Sequence, residues 1–252
     1  MVDLRLFAGR NFGFGVLTVS SGYALFFGNV VLLPLWLQQW MGYTAIDAGF
    51  ALAPVGVLAI VLTPLSGRKV AVWDPRWMVT LSFVIFWVVL SLRANFTPQT
   101  DFGHIMLPTV IQGAAMAFYF LPLTTILMAG IAPERVAAAA GLSNFCRITA
   151  GAMGTSIVTT LWEDRAALHH AHLTETIGAL DPAFNQAVDV LVRSGMSAPA
   201  ALAQVVRQID QQAFTRAADD IFHASALIFL ALIGLVWLTR RPAPVAAPGG
   251  AR

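Results

Sequence analysis

Charge is what this sequence has least of. Only 11% of its 252 residues are Asp, Glu, Lys or Arg, where a soluble domain carries about 25%. The deficit excludes an ordinary water-soluble globule. Cysteine is nearly absent as well. Cys146 stands alone, which excludes an intrachain disulfide framework and a thiolate metal site. The net charge of +2 leaves no electrostatic footprint for nucleic acid. No Walker A loop, HExxH or GxSxG is present, so nothing points to an enzyme or to a cofactor. Acids are also missing from the apolar stretches: Asp47, Asp74, Asp101 and Glu134 all fall in loops. A proton carrier in a membrane normally needs an acid at membrane depth.

Apolar residues fill the space that charge leaves. They make up 58% of the chain, and the mean hydropathy is +0.72. A crossing helix needs about 20 mostly apolar residues. Six runs approach or exceed that, near Phe14–Leu37, Gly49–Leu65, Trp77–Leu92, Ile105–Gly130, Gly141–Trp162 and Ile221–Leu238. The fold expected is therefore all-α, a polytopic membrane protein with six transmembrane helices. The first run is too long for the core of a cleaved signal peptide and is expected to stay as a span. Pro34, Pro54, Pro64, Pro108 and Pro122 fall in or beside the runs, where neighbouring helices can satisfy the freed carbonyls. Five spans are expected within 1–162, a long polar segment over 163–220, the sixth span over 221–239 and a disordered tail over 240–252. Basic residues gather at Arg5 and Arg10, at Arg68, Lys69 and Arg76, at Arg135, and at Arg240, Arg241 and Arg252. By the positive-inside rule both termini are expected in the cytoplasm, and the polar segment outside.

The stretch Gly141–Trp162, GLSNFCRITAGAMGTSIVTTLW, combines membrane length with polar groups that a plain anchor does not need. Asn144, Arg147, Gly151 and Gly154 recur at spacings of three and four, so on a helix they share one face. Glycines let a second helix approach closely. Arg147 either snorkels to the headgroups or faces the protein interior, because lipid does not solvate it.

Polar residues within the other runs mark candidate positions. Tyr23 sits inside the first run, and Asn29 near its middle must find an interhelical partner or a wet cavity. Gln112, Met116 and Tyr119 follow helical spacing in the fourth run, either as packing or as a cavity wall. Asp74 before Pro75 reads as a helix cap followed by its first residue. Thr44 or Asp47 is expected to cap the second span. Arg68, Asp74 and Arg76 make either a plain basic turn or a charge latch between helices. In the polar segment, Asp181–Pro182 and Ser197–Pro199 read as starts of two or three short amphipathic helices. The apolar stripe of the last is Leu202, Val205, Val206, Ile209 and Ala213. His169, His170 and His172 lack a cysteine or acidic ligand pair nearby and read as a solvated face rather than a metal site.

Taken together, DLRLFAGRNFGFG, VLLPLWLQQWMGYTAIDAG, APVGVLAIVLTPLSGR, TDFGH, FLPLTTILMAGIAPERVAAAAGLSNFCRITAGAMGTSI and LHHAHLTE form a specific pattern. The chain resembles the carboxy-terminal half of the fourteen-helix drug:proton antiporters of the major facilitator superfamily. The resemblance implies one half of a multidrug efflux pump in the cell inner membrane, driven by the proton gradient. Its partners would be membrane lipid, an amino-terminal half, a periplasmic membrane-fusion adaptor and an outer-membrane channel. Its substrates would be hydrophobic small molecules. On this reading Tyr23, Asn29, Gln112, Tyr119, Asn144 and Arg147 line or order the substrate path, and Arg68, Asp74 and Arg76 form a cytoplasmic latch. The chain is expected to be inactive alone. The rival reading is a non-transporting scaffold or regulatory subunit that docks on an intact pump or adaptor.

Overall fold

The computed structural model describes residues 4–70, 72–176 and 182–241, and among them there is no strand. A short 3-10 helix over Leu4–Ala8 leads into α1, Arg10–Gln39. The next crossing, Ala45–Val70, is built from α2, Ala45–Leu52, and α3, Pro54–Val70. It breaks at Ala53 because Pro54 has no N–H for the preceding turn. Thr44 caps α2 in a reciprocal box with Asp47. Asp74 caps α4, Pro75–Arg93, with Pro75 in the first turn. The crossing Phe102–Met128 is likewise divided, into α5, Phe102–Ala117, and α6, Phe120–Met128. Pro122 cannot donate to the Phe118 carbonyl, and the helix breaks there. A 3-10 turn over Pro133–Arg135 precedes α7, Val136–Thr176. Then come α8, Pro182–Arg193, and α9, Ala198–Trp237.

Five helical stretches are long and apolar enough to cross a membrane: Arg10–Gln39, Ala45–Val70, Pro75–Arg93, Phe102–Met128 and Ala198–Trp237. The fifth expected span, Gly141–Trp162, lies within α7, which is long but not in this set. Its composition explains that, for Ser143, Asn144, Arg147 and several threonines interrupt the apolar residues.

The polar segment differs from the expectation of two or three short helices. At 41 residues, α7 is roughly 60 Å long, about twice the hydrocarbon thickness of a bilayer. The 40-residue α9 is similar. Both run unbroken through the boundaries expected at 162/163 and 220/221, so the polar segment is mostly the continuation of its flanking helices. Only α8 is short and separate. The expected cap Asp181 and the tail beyond Arg241 lie outside the described residues.

Packing follows pairs: α1 lies most extensively on α7, α4 on α9, and α3 on α5. Phe83, Phe86 and Phe229 meet in the centre, with Phe86 and Phe229 stacked at 4.6 Å. At one end Trp36 donates to the Thr215 hydroxyl, Trp162 to the Phe214 carbonyl and Gln211 to the Trp40 carbonyl. At the other, Arg10 donates to the Leu238 carbonyl, and Asn11 exchanges hydrogen bonds with the Arg240 backbone. The second end collects Arg5, Arg10, Arg68, Lys69, Arg76, Arg135, Arg240 and Arg241.

Candidate substrate-facing site

The glycine face of α7 is real and points at α1. A Cβ on Gly154 would meet the Ala24 carbonyl oxygen and lie 2.6 Å from the Ala24 Cα. Across the seam, a Cβ on Gly28 would lie 2.5 Å from Val158 Cγ2. The two backbones approach this closely only because both positions lack a side chain. One turn toward the basic end, Tyr23 packs over Gly151.

This close approach positions Arg147. Its guanidinium carbon lies 4.9 Å from the Tyr23 ring centroid and 5.6 Å from that of Phe120 on α6. Tyr23 is further held by Phe27 at 4.4 Å. Nη2 of Arg147 donates to Asn144 Oδ1 at 2.6 Å. Arg147 is thus held between two aromatic faces from two other helices, an arrangement that stabilises a cation outside bulk water. Tyr23 and Arg147 are half-buried and Asn144 is exposed. Beside them Phe145, Ile148, Met153 and Ile157 of α7 are exposed apolar residues. The result is a polar, aromatic-lined centre on an otherwise apolar face.

The other three expected path residues lie inside the bundle instead. Asn29 is 2% exposed and donates to the Leu25 carbonyl and to the Ser225 hydroxyl on α9. It ties α1 to α9. Tyr119, also 2% exposed, donates to the Val19 carbonyl at 2.8 Å and joins the α5–α6 break to α1. Gln112 is 3% exposed and accepts from Arg93 Nη2 at 2.7 Å. In each case a partner from another helix draws the polar group inward, because an unpaired amide or hydroxyl in the core costs more than the hydrogen bond returns.

Arg93 is the residue that sequence reasoning missed. It reads as a loop charge at the end of a span, yet it is 1% exposed. Its Nη2 also donates to Thr109 Oγ1 at 3.1 Å, while its Nε has no partner. The available signal was a glutamine in mid-helix, which needs a polar neighbour.

The expected latch is assembled in part. Arg76 pairs with Asp74 at 3.1 Å and donates to the Thr239 carbonyl just past α9. Arg241 lies 3.5 Å from the same carboxylate. Burial pushes the Asp74 carboxyl up, but the Arg76 hydrogen bonds and the Arg76 and Arg241 charges outweigh it and hold it below its ordinary value. Trp77 and Trp237 close the joint edge to face at 4.9 Å. Arg68 is exposed on the last turn of α3 and stays apart from this pair, so the latch joins α4 to α9 rather than α3 to α4.

At the opposite end His169 and His170 bridge to α9 instead of forming a solvated face, while His172 is exposed. His169 meets Asp220 at 2.8 Å, and Arg165 pairs with the same carboxylate at 2.6 Å. His170 meets Asp210 at 2.8 Å. Among the described residues no group of three or more His, Cys, Asp or Glu could hold a metal ion. Asp219 and Asp220 are half-buried on α9, so the helices are less free of acid than the loop acids suggested.

No protein-family model matches the chain. Individual relatives do. The multidrug export protein EmrB of Escherichia coli K12 is 45% identical over 251 residues, 99% of this chain and 49% of that protein. The probable multidrug resistance protein EmrY of the same organism is 40% identical over 243 residues, covering 96% and 48%. The fatty acid resistance protein FarB of Neisseria gonorrhoeae is 40% identical over 242 residues, again 96% and 48%. The chain spans about half the length of the curated relatives it matches. Over nearly its whole length the chain is similar to about half of each of these export and resistance proteins, as the carboxy-terminal half of an EmrB-like protein would be.

Proposed function

We propose that this chain supplies one half of a proton-coupled transporter that exports hydrophobic compounds. The observation that carries this reading is the Tyr23–Phe120–Arg147–Asn144 centre, set on a face whose neighbouring apolar residues are exposed. Lipid alone gives no reason to place a guanidinium between aromatic rings at the meeting of three helices. A substrate path between two halves does, since it must accept apolar bodies and still offer a polar contact. In this reading Tyr23, Asn144 and Arg147 touch or order the substrate. Asn29, Gln112, Tyr119 and Arg93 hold the helices that present them.

The wider assembly follows from the same reading. The basic end lies in the cytoplasm and the chain crosses the inner membrane six times, with the Gly141–Trp162 part of α7 as the fifth crossing. The extended ends of α7 and α9, with α8, stand outside and contact a periplasmic adaptor that leads to an outer-membrane channel. The proton-carrying acid is assigned to the amino-terminal half, because the apolar parts of the described helices carry none.

The test is complementation in an efflux-deficient strain. Expressed alone, the chain should give no protection against lipophilic uncouplers. Expressed with the amino-terminal half of an EmrB-like protein, it should protect, and Arg147→Ala should remove that protection at equal membrane abundance. Protection by the chain alone would overturn the half-transporter reading.

A further inference from the structure

At the end opposite the basic one, a cavity of about 460 Å³ lies where α7, α8, α9 and the α4–α5 turn meet. Leu173 borders it on α7, Phe184 on α8, and Val205 and Ile209 on α9. Leu173 follows Arg147 on the same helix at a distance of roughly 39 Å, from a rise of about 1.5 Å per residue. The cavity is therefore separate from the Tyr23–Arg147 centre. Four amides complete its wall: Gln99 in the turn, and Gln208, Gln211 and Gln212 on α9. Val205, Gln208, Ile209 and Gln212 recur at spacings of three and four, so they share one helix face. Gln211 is oriented by its Nε2, which donates to the Trp40 carbonyl at 2.7 Å. The other three amides have no hydrogen-bond partner among the described residues. Each keeps both a donor and an acceptor to offer. Among the described residues no charged side chain lines the cavity. Asp210, between Ile209 and Gln211 in sequence, is taken by His170 at 2.8 Å.

The walls are fixed without an occupant. In the turn that carries Gln99, the Thr97 N–H donates to Thr100 Oγ1 at 2.8 Å and the Thr100 N–H to the Thr97 carbonyl at 2.9 Å. Asp101 caps α5 directly afterwards. The His170–Asp210 contact ties α7 to α9 near Leu173. Gly195, at a φ of 103°, turns the chain from α8 towards α9, and the Met196 N–H returns to the Leu191 carbonyl.

We propose that this cavity binds an uncharged, largely apolar molecule of drug size that carries hydrogen-bonding groups. Its volume lies within the range of about 300–1,000 Å³ usual for small-molecule sites, and apolar walls with a few polar groups are their usual lining. A charged ligand would lose hydration there with no opposite charge to offset the loss. A carbonyl or hydroxyl on a neutral body would meet the amides instead. Val192, Leu202 and Val206 are exposed and do not line the cavity, so an adaptor can contact those surfaces without entering it. In the export reading, on which its outward placement rests, the cavity is a second station for substrate beyond the Arg147 centre.

The experiment measures saturable binding of tritiated dehydroepiandrosterone, a neutral steroid with a carbonyl and a hydroxyl, to the purified chain in nanodiscs. The comparison ligand is its sulfate, which has the same body and a negative charge. The neutral steroid should bind, and the sulfate should bind more weakly by about tenfold or more. The double variant Gln208→Leu, Gln212→Leu should weaken the steroid about tenfold through the lost hydrogen bonds. Ala187→Trp, at an exposed position that lines the cavity, should abolish binding without lowering the melting temperature. No saturable binding of the neutral steroid, equal binding of the sulfate, or unchanged binding in both variants would overturn the proposal. So would loss of binding in Arg147→Ala with none in Ala187→Trp, which would place the steroid at the α7 centre. The readout is binding to the chain and not export. Failure here leaves the transport reading standing, and failure of complementation leaves this site standing.

Discussion

Replacing Gly154 with alanine tests the α1–α7 seam, on which the placement of Arg147 depends. The new methyl would lie 2.6 Å from the Ala24 Cα, whereas ordinary contact begins at 3.4 Å. The obstacle is backbone, which cannot rotate away as a side chain would, and the Ala24 carbonyl oxygen stands closer still, so the helices must part by at least about 0.8 Å. Overpacking of this kind costs about 1–3 kcal/mol. In helix propensity alone, alanine should gain up to about 1 kcal/mol over glycine. The structure supplies a control on the same helix: nothing lies within 4 Å of a Cβ added at Gly141. Gly141→Ala should therefore leave the protein as stable as wild type or slightly more so, while Gly154→Ala should lower its melting temperature by several degrees. Thermal unfolding in detergent, followed by tryptophan fluorescence, reads both. If Gly154→Ala melts at or above wild type alongside Gly141→Ala, the close seam is wrong.

Three further outcomes are expected. Gln112→Leu should destabilise by roughly 1–3 kcal/mol or more, because it leaves the Arg93 guanidinium short of an acceptor in the core. The double variant Arg93→Met, Gln112→Leu should recover much of that loss, since the buried charge is gone, and equal melting of single and double variants would refute the pairing. Arg147→Lys should fall well short of wild type in export by an assembled pump, because an ammonium does not reproduce the planar stacking on Tyr23 and Phe120. Wild-type export by the lysine variant would return Arg147 to a snorkelling role. Asp74 is held below its ordinary pKa of 3.8, so its stabilising contribution is full above that value and lost as pH falls through the lower folded one. The melting-temperature gap between wild type and Asp74→Asn should be constant near neutrality and close in acid; a gap that widens in acid would contradict the latch.

Much of this architecture was legible in the sequence where its cause is local. The Asp74–Pro75 start stands where the sequence placed it, and of the two caps offered, Thr44 or Asp47, Thr44 is the cap and Asp47 its partner three positions on. The shared face of Asn144, Arg147, Gly151 and Gly154 followed from helical spacing alone. What was not legible depends on partners remote in the chain. Asn29 meets Ser225 across 196 positions, so its burial could not be told from a cavity lining. Arg93 resembles a loop charge until α5 brings Thr109 and Gln112 against it. The polar face of His169 and His170 suggested solvent, but the carboxylates that receive it lie on α9. Continuation of α7 and α9 beyond membrane length was hidden by the fall in hydropathy, which marks where water begins and not where a helix ends.

The central claim is that transport resides in a pair of halves, of which this chain is one. The most direct test is flux in reconstituted vesicles. The purified chain, the amino-terminal half of an EmrB-like protein, and the two together are each placed under an imposed proton gradient with a lipophilic substrate. Gradient-dependent substrate movement is predicted only for the pair. The same movement from the purified chain alone would contradict the account.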